Sequence, residues 1–233
     1  MSKHPIVEIS AGDLNVVGQY SDRNTRGVLR GRISIPNRDN PDEELFMDFF
    51  NTHLTYDDKQ QCPMIIKLLD YLEDYYDENE NIPQIIVGDL NTYLTSEWPI
   101  DFLENPFSPL SKSSYNLCYS QFSKWIESHQ DNENKPYFSD VWNEAFPRND
   151  DGTITSRNSK DEINALGHTF PVFKDSPLTN CRPDRILRRK SDTVNLLSVA
   201  TFGDEPWTDS NHLNPEPHYL SDHLGIEVNF DFL

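Results

Sequence analysis

Apolar positions along the chain repeat with two periods, and the switches between them mark out its elements. Residues 28–35 mix apolar and basic side chains with partial alternation, and 45–50 follow as a second strand. The short apolar run Ile85-Ile86-Val87, between Pro83 and Gly88, suits a buried strand. Three more strands are read at 184–188, 194–202 and 224–230, the last with Ile226, Val228 and Phe230 on one face. Helical spacing governs two other stretches. Over 63–77, Ile65, Leu68, Leu69, Leu72 and Tyr76 form one stripe, with Pro63 in the first turn. Over 115–129 the stripe is Cys118, Phe122, Trp125 and Ile126. Both stripes read as core packing. The order β-β-α-β-α-β-β-β predicts a mixed α/β layout with helices covering sheets. The polar stretch 130–165 predicts long surface loops. The tetrapeptide Gly-Asp-Leu-Asn occurs twice, at 12–15 and 88–91; the first copy has no apolar strand before it and reads as coincidence.

Composition narrows the class. In 233 residues, 36% are hydrophobic and 12% aromatic, enough for a large core and too many for a disordered chain. No apolar run approaches a membrane span, and the first residues lack the layout of a signal peptide, so a soluble cytoplasmic protein is expected. Lys and Arg total 20 against 39 Asp and Glu, a formal net charge of -19. Such a field repels a phosphate polymer at long range, which argues against a general nucleic-acid coat. It leaves open an enzyme that meets phosphate through a bound cation, since a cation inverts the local field. Cys62, Cys118 and Cys181 are far apart and odd in number, which predicts free thiols rather than a disulfide framework or zinc site. Basic residues gather at Arg182, Arg185, Arg188, Arg189 and Lys190, and at Arg23, Arg26, Arg30 and Arg32; both groups read as solvated strand faces.

Four short segments place polar groups at strand ends, where loops build sites. Asp89 and Asn91 follow the strand 85–87, and residues i and i+2 of an extended segment point the same way. A carboxylate there can hold a metal or orient water, and an amide can donate to a phosphate oxygen. Asn51 and His53 repeat the arrangement at the end of 45–50, where a histidine can serve a phosphoryl oxygen or leaving group. Asp184 starts one strand, and Asp222-His223 precedes another. An aspartate beside a histidine fixes its tautomer and favours the imidazolium that a phosphate wants. Taken singly, each segment is equally a turn or a strand cap.

In order, Asn-Thr-His-Leu, Gly-Asp-Leu-Asn, Pro-Asp-Arg-Ile and Ser-Asp-His resemble the endonuclease/exonuclease/phosphatase superfamily of deoxyribonuclease-I-like phosphoesterases. Ser2 to Val7, Thr25 to Arg30, Asp140-Val141-Trp142 and His168-Thr169-Phe170-Pro171 agree with lesser marks of that family. The resemblance implies one α/β domain over 1–233, a two-sheet sandwich flanked by helices, with its site at strand ends. It implies Mg²⁺ (or Mn²⁺) and attack of water on a phosphate ester. Carried over by motif, Asp89 would position or deprotonate the water and bind metal. Asn91 would hold a phosphoryl oxygen, and His223, held by Asp184, would bind the phosphate. Asp222 would support metal or water, and His53, with Asn51 beside it, would stabilise the transition state or leaving group.

The family domain also opens with a strand bearing an Asn and a later strand bearing a metal-binding Glu, both ahead of the stretch that here begins at Met1-Ser2. The expectation is therefore a domain incomplete at its N-terminus, with an unpaired strand edge and exposed apolar surface. Two functions follow: a phosphoesterase acting on a small phosphate ester, a lipid head group or nucleic acid, or an inactive remnant or fragment serving as a binding module. The charge leans toward the smaller substrates. Oligomeric state is not legible.

Overall fold

The computed structural model describes residues 2–15, 25–77, 81–92, 98–107, 119–133, 135–147, 169–170, 181–189, 191, 193–203 and 221–232. Eight strands and four helices follow one another as β1 (Ile6–Asp13), β2 (Gly27–Pro36), β3 (Glu44–His53), α1 (Asp58–Glu73), β4 (Gln84–Asp89), α2 (Trp98–Glu104), α3 (Tyr119–Ser128), β5 (Phe138–Asp140), α4 (Val141–Ala145), β6 (Asp184–Arg189), β7 (Val194–Phe202) and β8 (Gly225–Phe232). Six strands form one sheet in the order β1-β2-β3-β4-β6-β5, and β7 pairs with β8 in a second. β3 and β4 are parallel, with α1 as the crossover that parallel neighbours require. The remaining pairs are antiparallel.

The central strands are buried on both faces, which is why 85–87 is a continuous apolar run. On one face Phe50, Ile86 and Leu187 meet Ile65, Leu68, Leu69 and Leu72 of α1, with Phe102, Phe122 and Trp125 from α2 and α3. On the other, Met47, Phe49, Ile85 and Ile186 meet Trp142 of α4 and Ile226, Val228 and Phe230 of β8. The fold is thus helices, a six-stranded sheet and a second sheet, the two-sheet α/β sandwich that the motifs imply.

Several expectations are corrected. α1 begins at Asp58, so Pro63 lies in the second turn, where it withholds one helical hydrogen bond. α3 begins at Tyr119, and Cys118 lies outside the described residues. The stretch 130–165 is not all loop: it carries β5 and α4, with Phe138, Val141 and Trp142 buried; residues 148–168 lie outside the description. The first Gly-Asp-Leu-Asn does follow a strand, β1. Cys62 is disulfide-bonded, against the expectation of free thiols. Cys181 is a buried free thiol.

The arginines are also corrected. Arg30, Arg182, Arg185 and Arg189 are buried, each against a carboxylate. Arg23 and Lys190 lie outside the described residues. Among those residues no helix is long and apolar enough to cross a membrane.

Candidate active site

Strand register assembles the site. β3 ends at His53, β4 at Asp89, and β6 begins at Asp184. His53 is the register partner of Asp89, and Asp89 is the partner of Asp184. Three residues from three adjacent strands therefore stand in one row across the edge of the sheet. His53 Nε2 lies 3.3 Å from Asp89 Oδ2. The segment before β8 adds His223, whose Nδ1 is 2.7 Å from Asp184 Oδ2. Ligand atoms of Asp89, Asp184 and His223 all lie within 4.8 Å of one another.

Gly88 makes the row possible. A Cβ on it would stand 1.8 Å from the Thr52 carbonyl oxygen, and its φ is +141°, so only glycine lets β3 and β4 close this tightly just before Asp89. Asp89 ends the strand, and the extended i, i+2 geometry expected of Asp89 and Asn91 does not form. The Asn91 N–H turns back to Asp89 Oδ1 at 2.8 Å, and Asn91 Nδ2 donates to the Leu54 carbonyl at 2.7 Å. Asn91 holds φ +50°, a left-handed conformation that asparagine tolerates. Asn51 and His53, both within β3, are exposed on the same side of their strand and alternate with buried Phe50, Thr52 and Leu54. Asp222 is exposed and lies outside the three-residue group.

Asp184 and His223 are held from behind. The carboxylate of Asp140 accepts from Arg182 at 3.0 Å, from Arg185 at 2.8 Å, and from the Trp142 N–H at the start of α4. Arg185 Nε donates to Thr92 Oγ1, and the Leu90 N–H donates to the Pro183 carbonyl at 2.8 Å. The two arginines flanking Asp184 are thus tied both to a buried carboxylate and to the turn after Asp89. Leu224 N–H donates to the Thr169 carbonyl, and the Phe170 ring packs on His223 at 4.8 Å between centroids. His168 and Pro171, the outer residues of that mark, lie outside the described residues. Arg182 and Arg185 were visible in the sequence, but as surface charges; no local signal marks them as buried.

Burial is the main force on Asp89 and raises its pKa above the ordinary carboxylate value, with Asp184 pushing the same way. The Asn91 N–H, His53 and His223 oppose the rise. A half-buried carboxylate beside a second one is a place where a cation is favourable. The two carboxylates fit a divalent ion: their oxygens suit Mg²⁺ or Mn²⁺, which keep water in their remaining positions.

No family model matches the chain, and no curated protein does. Solved structures match it. A mannosyl-6-phosphatase of Bacteroides thetaiotaomicron is similar over 98% of this chain and 67% of its own, at 18% identity and a TM-score of 0.57. An endonuclease/exonuclease/phosphatase family protein of the same organism is similar over 97% and 65%, at 17% identity and 0.57. TDP2 of D. rerio, solved with a single-strand DNA product, is similar over 97% and 68%, at 16% identity and 0.51. The chain spans about two thirds of the length of these structures. Its fold is the one these structures share.

Proposed function

We propose that the chain hydrolyses a phosphate ester with an activated water and a divalent ion, Mg²⁺ or Mn²⁺. The observation that carries this reading is the row His53–Asp89–Asp184 closed by His223: a half-buried carboxylate flanked by a histidine on one side and an Asp–His pair on the other. Asp89 would orient the water and take up its proton, from its place between His53 and Asp184. Asp184 would accept from His223 Nδ1–H and fix the ring, and in the imidazolium form the Nε2–H would donate to a phosphoryl oxygen. His53 would donate to the leaving oxygen, with Asn51 beside it. Asn91 braces the turn through Leu54, and contact with a phosphoryl oxygen would be its second duty. Asp222, exposed one residue before His223, would support metal or water from the solvent side. Asp89 and Asp184 would hold the ion, which supplies positive charge against the charge that develops on phosphorus-bound oxygen.

A formal charge of -19 supports a small ester or lipid head group over long nucleic acid. The test is hydrolysis of bis(p-nitrophenyl) phosphate and p-nitrophenyl phosphate by the purified chain, with Mg²⁺ or Mn²⁺ and with EDTA. Metal-dependent turnover, lowered about 10²–10⁴-fold in Asp89→Ala and His223→Ala, is expected. A folded chain that binds Mn²⁺ yet turns over neither ester would overturn the catalytic reading in favour of a binding module.

A further inference from the structure

α1 carries an amide where its buried stripe calls for an apolar side chain. Gln61 stands four residues before Ile65 and seven before Leu68, and it is 1% exposed. Its Nε2 lies 2.6 Å from the Thr55 carbonyl oxygen, 2.9 Å from that of Asn91 and 3.3 Å from that of Leu90. Thr55 belongs to the turn that follows His53, and Leu90 and Asn91 form the turn that follows Asp89. One side chain therefore ties together the two segments that carry two members of the row. Two N–H groups face three carbonyls, so the nearer pair, Thr55 and Asn91, receives the direct bonds and Leu90 shares one.

Asn91 is where that tie matters most. Asparagine tolerates a left-handed conformation, so it is the bonds around Asn91 that hold it in one orientation. Among the described residues it is held through its N–H to Asp89, its amide to Leu54 and its carbonyl to Gln61. The first of them acts directly on the Asp89 carboxylate.

We propose that Gln61 is a positioning residue: from the buried face of α1 it clamps the turn after Asp89 to the turn after His53 and so fixes the aim of the Asp89 carboxylate. Its effect on rate rests on the phosphoesterase reading; its effect on the turn does not.

Two variants test it. Gln61→Met keeps length and helix propensity but loses both donors, and Gln61→Asn keeps an amide one methylene short. The first readout is amide hydrogen exchange in the wild-type and variant chains. The Leu90 and Asn91 amides both donate, to Pro183 and to Asp89, and report the turn directly. In Gln61→Met they are expected to exchange about tenfold faster or more, while amides of β2 and β3 keep their wild-type rates. The second readout is turnover of bis(p-nitrophenyl) phosphate with Mn²⁺. A fall of about tenfold or more in kcat, with KM within about threefold, is expected, and Gln61→Asn should lie between. Unchanged exchange at Leu90 and Asn91 in both variants overturns the proposal. Equal acceleration across the whole sheet overturns it too, because Gln61 would then serve only global stability. If the wild-type chain hydrolyses nothing, the phosphoesterase reading falls, and the exchange pattern still decides the role of Gln61.

Discussion

Gly88 and Gly203 separate two reasons for a glycine. Both have positive φ, but a Cβ at Gly88 meets the Thr52 carbonyl, whereas at Gly203 nothing lies within 4 Å. Gly203→Ala is expected to lower unfolding stability by about 1 kcal/mol, the left-handed penalty alone. Gly88→Ala adds a backbone clash and should lower it by roughly 3 kcal/mol or more. Urea denaturation of the two variants checks the difference; equal losses would mean that β3 and β4 are not pressed together here. The glycine in Gly-Asp-Leu-Asn was legible as a turn former. That it sets how closely the strand bearing Asp89 approaches the one bearing His53 was not, because the atom it avoids belongs to Thr52 on another strand.

Among the elements, β6 depends most on a charge it does not carry. Arg182 and Arg185 are 4% and 2% exposed, and they share Asp140, at the end of β5. Removing one partner of a buried ion pair leaves an uncompensated charge, so Asp140→Ala is expected to lower stability by about 3–5 kcal/mol. Glu8 also pairs with an arginine, Arg30, but its own side chain is 53% exposed. Glu8→Ala should lower stability by less than about 1 kcal/mol. Denaturation of both variants measures the contrast, and comparable losses would refute the distinction. The stretch 184–188 was read correctly as a strand. Which face was wet was misread, since a guanidinium is buried only where a distant carboxylate waits for it.

At the scale of the whole molecule, one face of the six-stranded sheet is unevenly covered. The second sheet and α4 pack over Met47, Phe49, Ile85 and Ile186. On β1 and β2, Ile6, Ile9 and Leu29 share that face by register and are 51%, 69% and 51% exposed. This exposed apolar patch makes self-association favourable. Ile9→Lys is expected to reduce light scattering of concentrated chain; an unchanged signal would place the sticky surface elsewhere. Alkali offers a second global test. Burial, with Asp184 and Asp89 adding to it, pushes the Cys181 thiol up to about 11, and burial raises Tyr137 as well. The folded state then holds protons that the unfolded chain releases, so this stability is fully present below the unfolded value near 9 and is lost as pH rises through about 11. Cys181→Ala should flatten that part of the stability–pH curve, and a curve of unchanged slope would remove Cys181 as its source. The division between sequence and structure is sharpest in the repeated Gly-Asp-Leu-Asn. Both copies end a strand, and in both the Asn N–H donates to the Asp Oδ1 two residues back at 2.8 Å, while the intervening leucine is buried. Local chemistry determines that turn, because its donor and acceptor are two residues apart. Only strand pairing decides that Asp89, and not Asp13, lies in register with His53 and Asp184: Asp13 ends the edge strand beside Gly27, and Asp89 ends a central one.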